Sequence, residues 1–487
     1  MQVRNVDTPL FKHQNDAVEF LLKNSGCGLI AHEPGLGKTR TALEAYSRFK
    51  TMLGDDPNFH LLVVAPISLL EAAWHEDLAR FTPHLSFWNL HKNGIQSPPS
   101  QVPHANVYAI NYEFFQYTDK VQRLMGFLTP KQWMAVLDES SKIKNHAASQ
   151  SKNLLAIKNL FSYRVAMSGT PAPNSEAEYW SQISFSMANV LPKSFNQFRR
   201  TYFYLRGRNG QPVAAPAVPT RQAMHDLFSK QGAEYAITKE KREELFSVIG
   251  PFIHARKKED CLDLPDQVDE KRLVKMGPNQ ARAYRQMKNQ LVAEIQGQDV
   301  VAQVALAKLM KLREITSGFA ISEDQQVVET ECPKIDALDD IISELGEKQA
   351  IIWCNFTWEI YKVCAMMTKY GRTATLHGGT KDREDSINGF IKGEYRYLVA
   401  NPHSAAHGLT FVNCSEQIFF SLDYSWEAYE QARARTHRAG QVNKCTYYHL
   451  LAEGTIDEEI LGVLKKKGNA QEIVFSLRAD SNERIRK

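Results

Sequence analysis

The chain has 487 residues, 43% hydrophobic and 23% charged, with a formal net charge of +4. That balance excludes fibrous, low-complexity and disordered classes and leaves a globular protein of roughly two to four domains, whose slight positive charge permits an acidic partner without demanding one. The seven cysteines are odd in number and form no C-x-x-C pair, which argues against a zinc site and for a reducing compartment.

In chain order, the N-terminus lacks the apolar stretch of a leader, and no apolar run approaches the ~18 residues of a membrane span. A soluble intracellular protein, in the cytoplasm of a bacterium or of an infected host cell, is expected. Apolar residues 28–31 read as a strand, and residues 39–49 read as a helix. Between them lies His32-Glu-Pro-Gly-Leu-Gly-Lys-Thr39. A turn ending in Gly37-Lys38-Thr39 lets backbone N–H groups point at phosphate oxygens, because glycine has no Cβ to block the approach. Lys38 would hold the β- and γ-phosphates and Thr39 a magnesium ion, although His32 stands where the strict pattern has its first glycine.

Further strands are expected at residues 61–65, 107–110, 134–137 and 164–167, each ending where a motif begins. Such strand ends are where open α/β sheets bind ligands. Asp138 and Glu139 follow the third of these, a position suited to a magnesium carboxylate and a water-polarising base. From about 180 to 334 the character changes. Helices rich in basic and aromatic residues are expected at 194–206, 221–230 and 238–248, around a Pro/Ala-rich loop at 211–219, and a second helical group at 279–296 and 301–315. Residues 264–267 read as a linker. Strands resume at 350–353, 373–376, 397–400, 417–420 and 446–450, before a charged tail at 478–487. The alternation predicts an α/β protein of two lobes with parallel sheets.

The ordered segments 10–14, 33–39, 65–70, 111–113, 138–145, 168–174, 256–258, 352–356, 408–410 and 431–441 resemble those of superfamily-two helicase-type motors, specifically the Swi/Snf-type DNA-dependent ATPases. The resemblance spans about residues 10–464, and its most specific elements are Lys144-Asn145 and the Gln431-x3-Arg435-x2-Arg438-x-Gly-Gln441 run. It implies two tandem RecA-like lobes, residues 1–265 and 266–487, with helical insertions at about 180–260 and 279–330. It also implies ATP and magnesium as cofactors. Gln14 would read adenine; Gly35, Leu36, Gly37, Lys38, Thr39 and Arg40 would line the nucleotide; Asp138 would join Thr39 on magnesium; and Glu139 would act as general base. Ser168, Thr170 and Gln431 would couple hydrolysis to movement, and Arg435 and Arg438 would reach the γ-phosphate. DNA would lie on Pro66, Ser68, Asn111, Tyr112, Asn355, His377, Gly408 and Thr410, gripped by its phosphates without sequence readout.

Two departures stand out. Asp138-Glu-Ser-Ser141 replaces the usual Asp-Glu-Ala-His, so Ser141 is expected to take over the link to the Ser168 loop, and Ala406 and His407 occupy positions where small glycines are common. With no reader segment evident, the chain resembles compact bacterial or viral motors and annealing or fork-remodelling members more than chromatin remodellers. The expected function is a monomeric, DNA-stimulated translocase acting on duplex or branched DNA. The alternatives are a strand-separating DNA or RNA helicase and a non-hydrolysing, ATP-gated nucleic-acid-binding module.

Overall fold

The computed structural model describes residues 9–95, 102–129, 131–207, 211–214, 227–228, 233–297, 302–322, 324, 326–404 and 409–466. The described chain divides into two compact units, one of residues 9–203 with 237–263, the other of 204–236 with 264–466.

In the first unit the strands are β1 (Cys27–His32), β2 (Phe59–Ala65), β3 (Phe87–Asn89), β4 (Val107–Asn111), β5 (Gln132–Asp138) and β6 (Tyr163–Met167). The second unit contributes an antiparallel hairpin, β7 (Tyr204–Arg206) with β8 (Glu234–Ala236), before the chain returns to the first as β9 (Ile253–Arg256). The first sheet has the order β3-β4-β2-β5-β6-β1-β9 and is parallel throughout. A parallel sheet covered on both faces needs strands that are apolar all along, and β1 and β2 are buried at every position. Phe59, Leu61, Val63 and Ala65 pack on one face with α1 (Lys12–Lys23) and α2 (Lys38–Met52), and Leu62 and Val64 pack on the other with Trp133, Leu124 and Phe185.

In the second unit follow β10 (Gln267–Val274), the short hairpin β11 (Phe319–Ile321) and β12 (Val327–Glu329), then β13 (Ala350–Trp353), β14 (Thr373–Leu376), β15 (Tyr397–Ala400), β16 (Glu416–Phe419) and β17 (Cys445–Ala452). The sheet order is β10-β17-β16-β13-β15-β14, again all parallel. Helices Pro278–Gly297 and Ala302–Thr316 dock on it: Tyr284, Leu312 and Ile315 enter the same core as Ile351 and Trp353. The α/β fold with two parallel-sheet lobes and helical insertions is therefore the one expected.

The structure adds to or differs from the expectations in three places. The helix expected over 194–206 ends at Tyr202, because the Tyr204–Arg206 stretch pairs with Glu234–Ala236 instead. The linker expected at 264–267 lies where the chain passes from the first unit to the second, and only its last residue is strand: Gln267 pairs with Cys445 and opens eight residues of ladder. Ile253–Arg256, given no strand above, extends the first sheet beside β1. Most of the helix expected at 221–230, part of the loop at 211–219 and the tail at 478–487 lie outside the described residues. Among the described residues no helix is long and apolar enough to cross a membrane.

Candidate nucleotide and nucleic-acid site

The motif residues of the first unit gather at the carboxyl ends of its strands. β1 ends at His32 and α2 opens at Lys38, with Gly35 at φ 95° and Gly37 at φ 70° between them. Both are left-handed positions that glycine enters without penalty, and Gly37 has a second constraint, since a Cβ there would lie 2.3 Å from Gln14 Nε2. Gln14 holds the turn from beneath. Its Oε1 accepts the Phe11 N–H at 3.0 Å, while its Nε2 donates to the carbonyls of Leu36 and Gly37, each at 3.4 Å. Lys38 is buried, and its Nζ donates to the His32 carbonyl at 3.0 Å. Thr39 is half-buried; Arg40 lies over the ring of Phe81, 4.5 Å from its centroid.

Asp138 ends β5, two strands from β1. Its Oδ2 accepts the Trp74 indole N–H at 2.9 Å, its Oδ1 accepts the Glu139 N–H at 3.0 Å, and its carbonyl accepts the Tyr112 hydroxyl at 2.8 Å. Burial raises its pKa, opposed first by the charge of Lys38. Each carboxylate oxygen still has a lone pair to offer, so with the Thr39 hydroxyl the donor set fits a hard divalent cation. Glu139 has φ 51°, a strained backbone for a residue with a side chain, and such outliers gather where function over-determines them.

β6 leads into Ser168-Gly-Thr-Pro171. The Ser168 N–H donates to the Ile30 carbonyl at 3.1 Å, and the Thr170 N–H donates to Ser168 Oγ at 3.1 Å. Gly169 lies so close to the phosphate-loop turn that a Cβ would come within 2.8 Å of Pro34 Cδ. One link from the Asp-Glu turn to this loop runs through Ser140: its hydroxyl donates to Gln182 Oε1 at 2.7 Å, and Gln182 Nε2 donates to the Pro171 carbonyl.

Of the first-unit residues expected on a DNA track, Ser68 is exposed. Pro66 is buried. Asn111 bonds to His91 and Glu113, and Tyr112 is 1% exposed in the core. The Tyr112 ring therefore supports Asp138 from within the core.

In the second unit, Asn355 follows β13, His377 follows β14 and Asn401 follows β15. Asn401 Nδ2 donates to the Asn355 carbonyl at 3.0 Å, and Arg383 donates to the carbonyls of His377 and Ser404 at 3.3 and 2.9 Å. Asn355 is held further by Ser421 and by Glu359, a fully buried carboxylate that accepts from the N–H groups of Asn355 and Phe356 and the hydroxyls of Ser317 and Ser421. Gly408, with Ala406 and His407, lies outside the described residues.

The basic run starts at the end of the helix Trp426–Arg433 and continues into the loop after it, and its three arginines are not equivalent. Arg433 pairs with Asp269 of β10 and lies 3.9 Å from the centroid of the Tyr447 ring. Arg435 is buried and donates to the Leu409 carbonyl at 2.9 Å. Arg438, half-buried, donates to the Leu409 carbonyl at 3.0 Å and to Thr410 Oγ1 at 2.7 Å. Gln431 is buried on the same helix, and Gln441 Nε2 binds the carbonyls of Val412, Cys414 and Thr436. These bonds tie the basic run to the 409–414 segment.

With the geometry described, similarity to known proteins can be stated. Residues 13–318 match the model of the SNF2-related domain, and residues 333–440 match that of the helicase conserved C-terminal domain. The chain belongs to the SNF2-related family. The SNF2-related match runs past β10 and the two helices after it, so it takes in segments that pack in the second unit. Relatives include the SWI/SNF chromatin-remodeling complex subunit snf22 of Schizosaccharomyces pombe, 25% identical over 91% of this chain and 26% of that protein. The DNA annealing helicase and endonuclease ZRANB3 of Mus musculus is 24% identical over 94% of this chain and 40% of its own length. An uncharacterized ATP-dependent helicase of Mycoplasma pneumoniae is 25% identical over 96% of this chain and 42% of its own. The chain thus spans less than half the length of each.

Against the SNF2-type pattern, His32 opens a buried imidazole chain of its own. Its Nε2 is 2.8 Å from His254 Nδ1, and the ring of His13 packs edge-on at 5.8 Å. Burial, then the charges of His254 and Lys38, hold the His32 pKa well below its ordinary value; burial takes His60 and His449 down to about 4. A folded-state pKa below the unfolded 6.5 means that the unfolded chain takes up protons first. Stability from these rings is complete above pH 6.5 and falls as pH drops, by about 1.4 kcal/mol per pH unit for each ring still neutral. Urea midpoints are expected to be lower at pH 5.5 than at pH 7; equal midpoints would contradict the buried neutral rings.

Proposed function

We propose that this chain is a magnesium- and ATP-dependent motor that translocates on duplex or branched DNA, remodelling it or displacing what is bound to it. The observation that carries the reading is the convergence, at the carboxyl ends of the neighbouring strands β1, β6 and β5, of Lys38, Ser168, Asp138 and the strained Glu139. Family membership and the names of relatives described as ATP-dependent and DNA-annealing helicases support it.

Thr39 and Asp138 would hold the magnesium ion, which when bound neutralises phosphate charge. Gly35 and Gly37 free backbone N–H groups for the phosphates, and Leu36 and Gly37 are steadied by Gln14. Lys38 reaches the β- and γ-phosphates, and Glu139 takes the proton of the attacking water. Arg435 and Arg438 are the arginines this reading would assign to the γ-phosphate, Arg438 as the finger. Ser168, Thr170 and Gln431 relay the state of the site. Pro66, Ser68, Asn111, Asn355, His377, Gly408 and Thr410 form the track, most through backbone groups and short polar side chains that suit phosphate contacts.

The test is ATP hydrolysis with duplex, forked and single-stranded DNA and with RNA. Stimulation strongest with duplex or forked DNA is expected; no stimulation by any DNA would overturn the reading. A paired strand-displacement assay assigns strand separation if duplex is unwound.

A further inference from the structure

Gln182 is a fully buried amide in the helix Tyr179–Ser186, and every one of its polar atoms is engaged. Oε1 accepts the Ser140 hydroxyl at 2.7 Å; Nε2 donates to the Pro171 carbonyl at 2.5 Å and to the Glu178 carbonyl at 3.0 Å. Two carbonyls on one side and a hydroxyl on the other fix which way the amide faces. Ser140 is itself fully buried and directly follows Glu139, whose backbone is strained. Pro171 closes the loop that begins with Ser168 on the Ile30 carbonyl and presses Gly169 against Pro34 of the phosphate-loop turn.

A buried polar group adds little net stability over an apolar side chain of the same shape, because it exchanges bonds to water for bonds to protein. Leu154, Ile143 and Phe185 show that this layer accepts apolar side chains freely. A polar pair here instead makes a directional connection: the residue after the proposed base and the Ser168–Pro171 loop hold the same amide, so neither shifts without straining the other.

We propose that Gln182 is a positioning residue, with Ser140 as its partner, that transmits movement of the Ser168–Pro171 loop to the Glu139 turn and so makes hydrolysis responsive to DNA. The inference rests on the reading of the chain as a DNA-stimulated ATPase.

The experiment measures ATP turnover with and without duplex DNA for the wild type, Gln182→Met, Ser140→Ala and the double variant. A merely destabilised enzyme loses both rates by one factor and keeps their ratio. Loss of the relay lowers the ratio of stimulated to DNA-free turnover, here by about tenfold in each single variant, since small misplacements of a catalytic group are costly. The double variant is expected to fall no further than the singles, because the two residues act as one connection. A wild-type ratio in Ser140→Ala, or a double variant whose loss is the product of the two singles, would overturn the relay. Ser140→Ala only shortens a side chain, so it decides the matter even if Gln182→Met fails to fold. A wild type that DNA does not stimulate would instead overturn the functional reading on which the relay rests.

Discussion

Arg438→Ala is expected to lower DNA-stimulated ATP turnover by about 3 to 5 orders of magnitude, the worth of an arginine finger in related nucleotide hydrolases, while the second unit stays folded. The structure separates this arginine from its neighbours. Arg433 pairs with Asp269 and is packed on Tyr447, so its charge is spent holding the edge strand β10. Arg433→Ala leaves Asp269 without its cation and is expected to cost about 3 kcal/mol, the low end for a buried pair because Asp269 is partly exposed. Arg435 is buried on the Leu409 carbonyl. Arg438 keeps part of its surface and makes its bonds to Leu409 and Thr410 from the loop after the helix. Turnover and the thermal midpoint, measured on both variants, should therefore move in opposite patterns. Arg438→Ala should lose turnover at an unchanged midpoint; Arg433→Ala should lose midpoint first. Turnover within tenfold of wild type in a folded Arg438→Ala would remove this residue from the reaction.

The same contrast explains what could be read from the sequence. Strands buried on both faces are continuous apolar runs, and β1, β2, β5, β13 and β15 were legible for that reason. The edge strand β10 was not. β10 alternates exposed and half-buried positions and carries Asp269, Glu270, Lys271 and Arg272, so it shows no apolar run and is recognised as a strand only by Cys445–Ala452 lying beside it. The phosphate-loop turn and the Asp-Glu pair were visible as local chemistry at strand ends. The supports were not, because they are long-range. Trp74 reaches Asp138 across 64 positions, and Gln182 reaches Ser140 across 42. Nothing local marks a tryptophan in an apolar stretch as a carboxylate donor. The bond from the Tyr112 hydroxyl to the Asp138 carbonyl spans 26 positions and was invisible for the same reason.

Glu139 carries the second large effect, and its backbone makes the effect steep. Glu139→Gln is expected to lower turnover by about 10²- to 10⁴-fold, the range for loss of a general base, with nucleotide affinity retained because amide and carboxylate have the same shape. Glu139→Asp tests something finer. The turn is pinned on both sides: the Glu139 N–H is held by Asp138 Oδ1, its carbonyl accepts the Lys142 N–H at 3.0 Å, and the next residue is held by Gln182. A left-handed backbone fixed at three points has little freedom to advance a shortened side chain toward the water. The aspartate keeps the base but withdraws it, and a displacement of about an ångström at a reacting group can cost about a hundredfold. Glu139→Asp is therefore expected to lose about two orders of magnitude in turnover, measured at saturating ATP and DNA. Near-wild-type turnover in Glu139→Asp would mean that the turn yields, and the strain at φ 51° would then have no part in placing the base.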